Sequence, residues 1–229
     1  MIVELARAGS TLIELGIPFT DPMADGPVIQ RASERALRHS FGLEDVLRIV
    51  SAAREETDVP IILFSYFNPL MQYGVERLAR DARSAGIDGV LVTDLVPEEA
   101  GDFRSMLKAN DLDMIFLVAP TSTDERLRLV AERASGFIYA VSRAGITGAR
   151  EQMSAEAEKL VRRMRKFSDL PIAVGFGISK PEHVADVWRY ADAAVVGSAI
   201  VDFIEHATDA NTLANDVAQF TANLTNINA

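Results

Sequence analysis

The stretch Ile13-Glu14-Leu15-Gly16-Ile17-Pro18-Phe19-Thr20-Asp21-Pro22-Met23-Ala24-Asp25-Gly26-Pro27 decides how this chain is read. It opens as an apolar strand with one carboxylate, Glu14, embedded in it. It continues as a loop rich in Pro and Gly that carries Asp21 and Asp25. An acid among Leu and Ile must find a partner, hold a proton or take part in chemistry, because burying a bare charge is costly. Strand alternation puts Leu12, Glu14 and Gly16 on one face and Ile13 and Leu15 on the other.

Working outward, the same kind of apolar run recurs over residues 12–16, 61–66, 89–93, 114–119, 137–142, 172–175 and 193–197. These runs are near-continuous in Val, Ile, Leu and Phe, the pattern of parallel strands covered on both sides. Helical patterns lie between them. Leu43, Val46, Leu47 and Val50 share one helix face, as do Ala157, Leu160, Val161 and Met164. Ser122 with Glu125, and Ser179 with Glu182, have the spacing of a capping box, and Pro181 suits a first helical turn. A helical segment over 2–8 leads into the first strand.

Strand alternating with helix predicts a parallel α/β fold, and no linker or charge block divides residues 1–229 into more than one domain. A doubly wound open sheet is the alternative to a barrel. Glycine or polar signals after nearly every strand favour the barrel, as do Gly175-Phe176-Gly177 and Gly197-Ser198 after the last two, where (β/α)8 barrels commonly hold a phosphate. Seven strands are counted where eight close such a barrel. The expectation is a TIM barrel lacking its first β-strand, with two strand edges left open.

Composition narrows the function. A formal charge of -10 speaks against a nucleic-acid partner, though not against a small phosphorylated ligand held by backbone N–H groups. The absence of cysteine excludes disulfides and thiolate metal sites. No apolar run reaches the length of a membrane span, and the N-terminal residues lack a signal-peptide core, so a cytoplasmic protein is expected.

Glu14, facing the interior near the C-terminal end of its strand, reads equally as a structural carboxylate or as an acid/base whose pKa burial raises. The loop after it favours the second reading. Asp21 and Asp25 by themselves fit ordinary turn chemistry. The loop Ser142-Arg143-Ala144-Gly145-Ile146-Thr147-Gly148 joins the two glycine turns named above to make three small-residue loops after three strands. A helix starting at Ser198 would aim its N–H groups at an anion. Tyr66, Tyr139 and Phe176 sit at strand ends, where they are core residues or the walls of a flat apolar pocket. His39, His183 and His206 have no metal-ligand spacing. No Ser-His-Asp set, Walker loop or dinucleotide fingerprint is found.

The run from Glu14 to Pro27 resembles the signature of the tryptophan synthase α subunit family. The segments 142–148, 175–179 and 197–201 are similar to the family's later motifs, in the same order. The resemblance covers essentially the whole chain. It implies a cofactor-free lyase that cleaves indole-3-glycerol phosphate to indole and glyceraldehyde 3-phosphate. It implies Glu14 as catalytic acid/base and Asp25 as the carboxylate that holds the indole N–H. It assigns Gly148, Gly177, Gly197 and Ser198 to a phosphate cradle, Tyr66, Tyr139 and Phe176 to the indole pocket, and Thr147 to a closing loop. It also implies a β-subunit partner in an α2β2 tetramer, met by the loop around Asp21 and by Asn68 and Pro69, with pyridoxal phosphate on β alone. The family carries a further strand before the position of Met1, so a weakly active or non-catalytic partner of β, or a stand-alone lyase, are the alternatives.

Overall fold

The apolar runs become strands because their side chains are buried on both faces. The computed structural model describes residues 1–141, 150–175 and 177–225, with α8 side chains from residue 155 onward. Its elements run α1 (Ile2–Arg7), β1 (Ile13–Gly16), α2 (Pro27–Leu37), α3 (Leu43–Ala53), β2 (Ile61–Ser65), α4 (Phe67–Tyr73), α5 (Val75–Ala85), β3 (Gly89–Val92), α6 (Gly101–Ala109) and β4 (Asp113–Val118). They continue as α7 (Asp124–Arg133), β5 (Ile138–Val141), α8 (Arg150–Met164), β6 (Ile172–Gly175), α9 (Pro181–Val187), β7 (Ala193–Val195), α10 (Ser198–His206) and α11 (Leu213–Thr225). All seven strand runs of the sequence reading are present, with ends shifted by a residue or two.

The strands pair in parallel and in chain order, β1 to β7. Among the described residues β1 and β7 are not hydrogen-bonded to each other, which matches the expected open seam. The sheet is nonetheless curled. Ile62, Leu91, Ile115, Phe137 and Ala173 form an interior cluster, joined by Leu12 from before β1 and by Ala193 and Val195 from β7. The helices that flank the first and last strands meet, which brings the two ends of the sheet round toward each other. A larger cluster on the outer face, including Ile13, Leu63, Val90, Met114, Ile138 and Ile172, packs against the helices. Across the seam α1 packs on α11 and α2 on α10.

The helix faces read from sequence hold: Leu43, Val46, Leu47 and Val50 are buried, as are Ala157, Leu160, Val161 and Met164. The capping boxes do not. The N-cap of α7 is Thr123, whose hydroxyl accepts from the Arg126 N–H at 3.2 Å, while Ser122 Oγ accepts from Ala119 N–H at 3.0 Å. Lys180 is the N-cap of α9, and Ser179 gives its N–H to His183 Nδ1 at 3.1 Å. In both places the chain turns helical one residue later than the motif spacing implied; Pro181 does open its helix.

Two clamps close the N-terminal ends of the strands. Asp88, just before β3, accepts from the Ile61 N–H at 2.8 Å and from Arg54 Nη2 at 2.6 Å. Asp192, just before β7, accepts from the Ile172 N–H at 2.8 Å and from Arg165 Nη2 at 3.0 Å. Each arginine lies near the end of the preceding helix, and each strand is entered through the same turn: Val59 N–H to Thr57 Oγ1, and Leu170 N–H to Ser168 Oγ, both at 3.2 Å. The β2–β3 and β6–β7 pairs are built alike.

Candidate active site

Glu14 lies on β1 opposite Ile62, an interior residue, so alternation turns it inward as the sequence pattern predicts. Its Oε1 is buried and, among the described residues, has no hydrogen-bond partner. Desolvation pushes its pKa up to about 7. The same burial lifts the Tyr139 phenol well above its ordinary value, and the negative charge of Glu14 adds to the lift, which places the two groups within electrostatic reach. The Tyr139 ring packs toward Phe64 with 6.5 Å between centroids. Its space is provided by Gly175: a Cβ there would overlap the Tyr139 hydroxyl and lie 2.6 Å from Cζ. Glycine at 175 is therefore what lets a tyrosine stand inside the sheet.

Asp25 is positioned by its own loop and by β2. The Asp25 N–H donates to the Pro22 carbonyl at 3.1 Å, and Gln30 Nε2 donates to the Asp25 carbonyl at 2.8 Å. Tyr66, 3% exposed at the end of β2, accepts from the Ala24 N–H at 2.9 Å, and its ring packs on Phe19 at 5.3 Å. Burial raises the Asp25 pKa, and a hydrogen bond from the Tyr66 hydroxyl opposes the rise. Burial also carries Tyr66 up to about 12, so it remains a donor at any working pH. Sequence reasoning placed Tyr66 among pocket walls; its hydroxyl also latches the Asp25 loop, a role that Phe19 shares and that no local motif announces. Asp21 shapes the turn: its side chain takes the Thr20 hydroxyl and its carbonyl the Met23 N–H.

On the other side of the seam Gly175 is in register with Val195, and Gly177 and Gly197 lie two residues further on, at the same end of β6 and β7. Gly177 has φ of +68°, a conformation suited to glycine, and a Cβ at either position would meet open space. Ser198 opens α10, with Gly197 as its N-cap. The first N–H groups of a helix lack intrahelical partners and favour an anion. Thr147, Gly148 and Phe176 lie outside the described residues. Asp202, Glu205 and His206 are close enough to share a cation, but both Glu205 oxygens are taken by Arg31 and Arg35.

A curled parallel sheet with a desolvated carboxylate inside it and two open glycine turns beyond its last strands defines a protein of the (β/α)-barrel class, with features that suit acid–base chemistry on an anionic ligand. The comparisons narrow that class. The family model described as tryptophan synthase alpha chain matches residues 1–229, and the chain belongs to that family. It is 50% identical over 224 residues to the tryptophan synthase alpha chain of Solibacter usitatus, covering 98% of this chain and 84% of that one. Among solved structures it is similar to tryptophan synthase subunit alpha from Legionella pneumophila, with a TM-score of 0.88 and 38% identity over 97% of this chain and 83% of that one. It is also similar to a chain from a study of the tryptophan synthase a2b2 complex of Pyrococcus furiosus, with a TM-score of 0.90 and 36% identity over 99% and 92%. The fold is the TIM barrel of these neighbours. The family is one of lyases that cleave indole-3-glycerol phosphate in tryptophan biosynthesis.

Proposed function

We propose that this chain, acting as one domain, cleaves indole-3-glycerol phosphate to indole and glyceraldehyde 3-phosphate with the residues just described. The observation that carries the reading is the buried Glu14 carboxyl, whose Oε1 has no hydrogen-bond partner among the described residues and whose pKa is raised to about 7. A group that titrates near neutrality both gives and takes a proton under one set of conditions, and the reaction asks for both. The indole C3 gains a proton, and the hydroxyl on the carbon attached to it loses one. The bond between the two carbons then breaks, its electron pair returns to the ring, and the hydroxyl carbon becomes the aldehyde. Glu14 carries the proton between the two positions.

Asp25 accepts the indole N–H and stabilises the positive charge that the ring acquires when C3 is protonated. Tyr66 supports it by fixing the loop. Tyr139, Phe176 and Tyr66 wall the ring. Gly177, Gly197 and Ser198, with Gly148, hold the phosphate, and Thr147 belongs to the loop that closes over it. Proton transfers of this kind need no cofactor.

The chain docks on a β subunit in an α2β2 tetramer through the loop around Asp21 and through Asn68 and Pro69. Met23, 86% exposed, and Met71, 55% exposed, give both segments an apolar surface in support of that reading. Pyridoxal phosphate resides on the β subunit, and the complex works in the cytoplasm. Among the described residues no helix is long and apolar enough to cross a membrane.

The test is indole release from indole-3-glycerol phosphate by the purified chain, with and without a β subunit, beside Glu14→Gln. Release that β stimulates and the variant abolishes is expected. A folded chain that releases no indole in either condition but still binds β is a non-catalytic partner, and the reading fails.

A further inference from the structure

The two ends of the site lie on opposite sides of the unpaired seam. Glu14 and Asp25 belong to β1 and its loop, and Gly197 and Ser198 to the β7–α10 junction. Elsewhere in the sheet, ladder hydrogen bonds fix the spacing of neighbouring strands. Between the β1 side and the β7 side, among the described residues, the helices α2 and α10 pack on each other.

One contact between those helices stands out. Arg31 Nε lies 2.9 and 3.1 Å from the two oxygens of Glu205, and its Nη2 lies 2.7 Å from Oε2. Arg35 Nη1 bonds Oε1 at 2.7 Å. The arginines are one turn apart and share a face of α2. Glu205, 18% exposed, is the best shielded of the three. A lone exposed ion pair is worth little, but a bidentate guanidinium with a second arginine on the same carboxylate is the geometry that holds position. The pairing draws the Glu205 carboxyl down to about 2, mainly through its bonds to Arg31.

Each helix is tied to its own end of the site. Gln30 of α2 gives its side-chain N–H to the Asp25 carbonyl at 2.8 Å and its backbone N–H to the Gly26 carbonyl at 3.0 Å. In α10 the N–H groups of Ile200 and Val201 donate to the Gly197 carbonyl at 3.0 and 3.1 Å. A continuous series of bonds thus runs from the Asp25 loop through α2, Glu205 and α10 to the Gly197–Ser198 turn.

We propose that the Arg31–Glu205–Arg35 fork is a positioning device that sets the span between Asp25 and the Gly197–Ser198 turn, so that the site selects ligands bearing both an indole N–H and a phosphate. The proposal rests on the reading of the site given above. A ligand held at both ends gains because its second contact is made at a fixed distance. Once the fork is cut, α2 and α10 are held to each other by packing alone, the span is less sharply fixed, and much of that gain is lost. Ligands held at one end need no fixed span.

The experiment measures equilibrium binding of three probes to the 229-residue chain: an unreactive indole-alkyl phosphate of substrate length, indole alone and glycerol phosphate alone. In Glu205→Gln the two-ended probe is expected to bind about tenfold more weakly while the single-ended probes change less than about twofold, and the KM for indole-3-glycerol phosphate rises more than kcat falls. Arg31→Gln, cut from the other helix, gives the same pattern and adds nothing when combined with Glu205→Gln. It also serves if Glu205→Gln does not unfold cooperatively. Equal losses for all three probes, or a lowered melting temperature with unchanged affinities, overturn the proposal. A parent chain that does not bind the two-ended probe overturns the reading of the site itself, and the proposal with it.

Discussion

Asp88, at the entry to β3, and Glu14, within β1, are both carboxylates of the sheet, and they are treated in opposite ways. At the N-terminal end of the sheet Asp88 is given a strand N–H and an arginine, and Asp192 repeats the arrangement. Inside the sheet, on β1, Glu14 has a buried oxygen with no partner among the described residues. On the function proposed above, the same functional group is satisfied where the barrel needs holding together and left wanting where a substrate arrives. Barrels divide their labour in this way, with stability at the bottom and chemistry at the top. An unsatisfied buried acid is a standing cost to the fold, tolerated for what it does to the pKa.

The largest effect expected from this contrast is catalytic. Glu14→Gln keeps shape and removes the titrating group, and indole release should fall on the order of a thousandfold. Turnover within tenfold of the parent would return Glu14 to the structural class of Asp88.

Next comes the pH dependence of stability. The Glu14 carboxyl has a pKa raised from 4.5 to about 7 in the fold. Between those values the folded state keeps a proton that the unfolded state has lost, so stability falls as pH rises through the window. Chemical denaturation at a series of pH values should show Glu14→Gln gaining about 3 kcal/mol on the parent between pH 4.5 and pH 7, with no further gain above it. A constant difference across that range would mean that the carboxyl is not desolvated. The variant is thus expected to be the more stable protein and the poorer catalyst at neutral pH.

Gly175→Ala tests the interior from another side. Its Cβ would overlap the Tyr139 hydroxyl, and a cost of about 2 kcal/mol is expected. Pairing it with Tyr139→Leu should recover part of that stability without restoring the pocket wall. Equal melting points for the single variant and the parent would mean that Tyr139 moves aside freely.

At the bottom of the sheet Asp88→Ala should cost about 2 kcal/mol while leaving turnover per folded molecule unchanged. Asp192→Ala should cost about half as much, because Arg165 is 45% exposed against 19% for Arg54. Loss of turnover in either variant, measured at a temperature where it remains folded, would blur the division between the two ends.

Much of this was readable in the chain. Strands buried on both faces, such as Ile61-Ile62-Leu63-Phe64, announce themselves as continuous apolar runs, and alternation was enough to turn Glu14 inward. Glycines after the last strands marked the open turns. The failures are tertiary or very local. Ser122 and Thr123 are both competent caps, and only the backbone path selects Thr123. The Tyr66 latch spans 42 residues and the Arg31–Glu205 contact 174, so neither leaves a periodic trace. Thr57-Asp-Val-Pro-Ile61 and Ser168-Asp-Leu-Pro-Ile172 echo each other in the sequence, but five residues are too few to stand out until the two aspartates are seen closing the same turn.

The strand order has a consequence for how the molecule comes into being. Among the described residues, every strand pairs only with its neighbours in the chain. A chain emerging from the ribosome can therefore add each βα unit to the one before it, without waiting for distant sequence. Short-range pairing of this kind favours rapid folding. The exceptions are α1 and α2, which pack on α11 and α10 from the far end of the chain. Ile2 and the polar face of α2 are made well before α11 and α10 and matched to them late, so the joining of these segments is the step at which a half-made molecule is most exposed to other nascent chains.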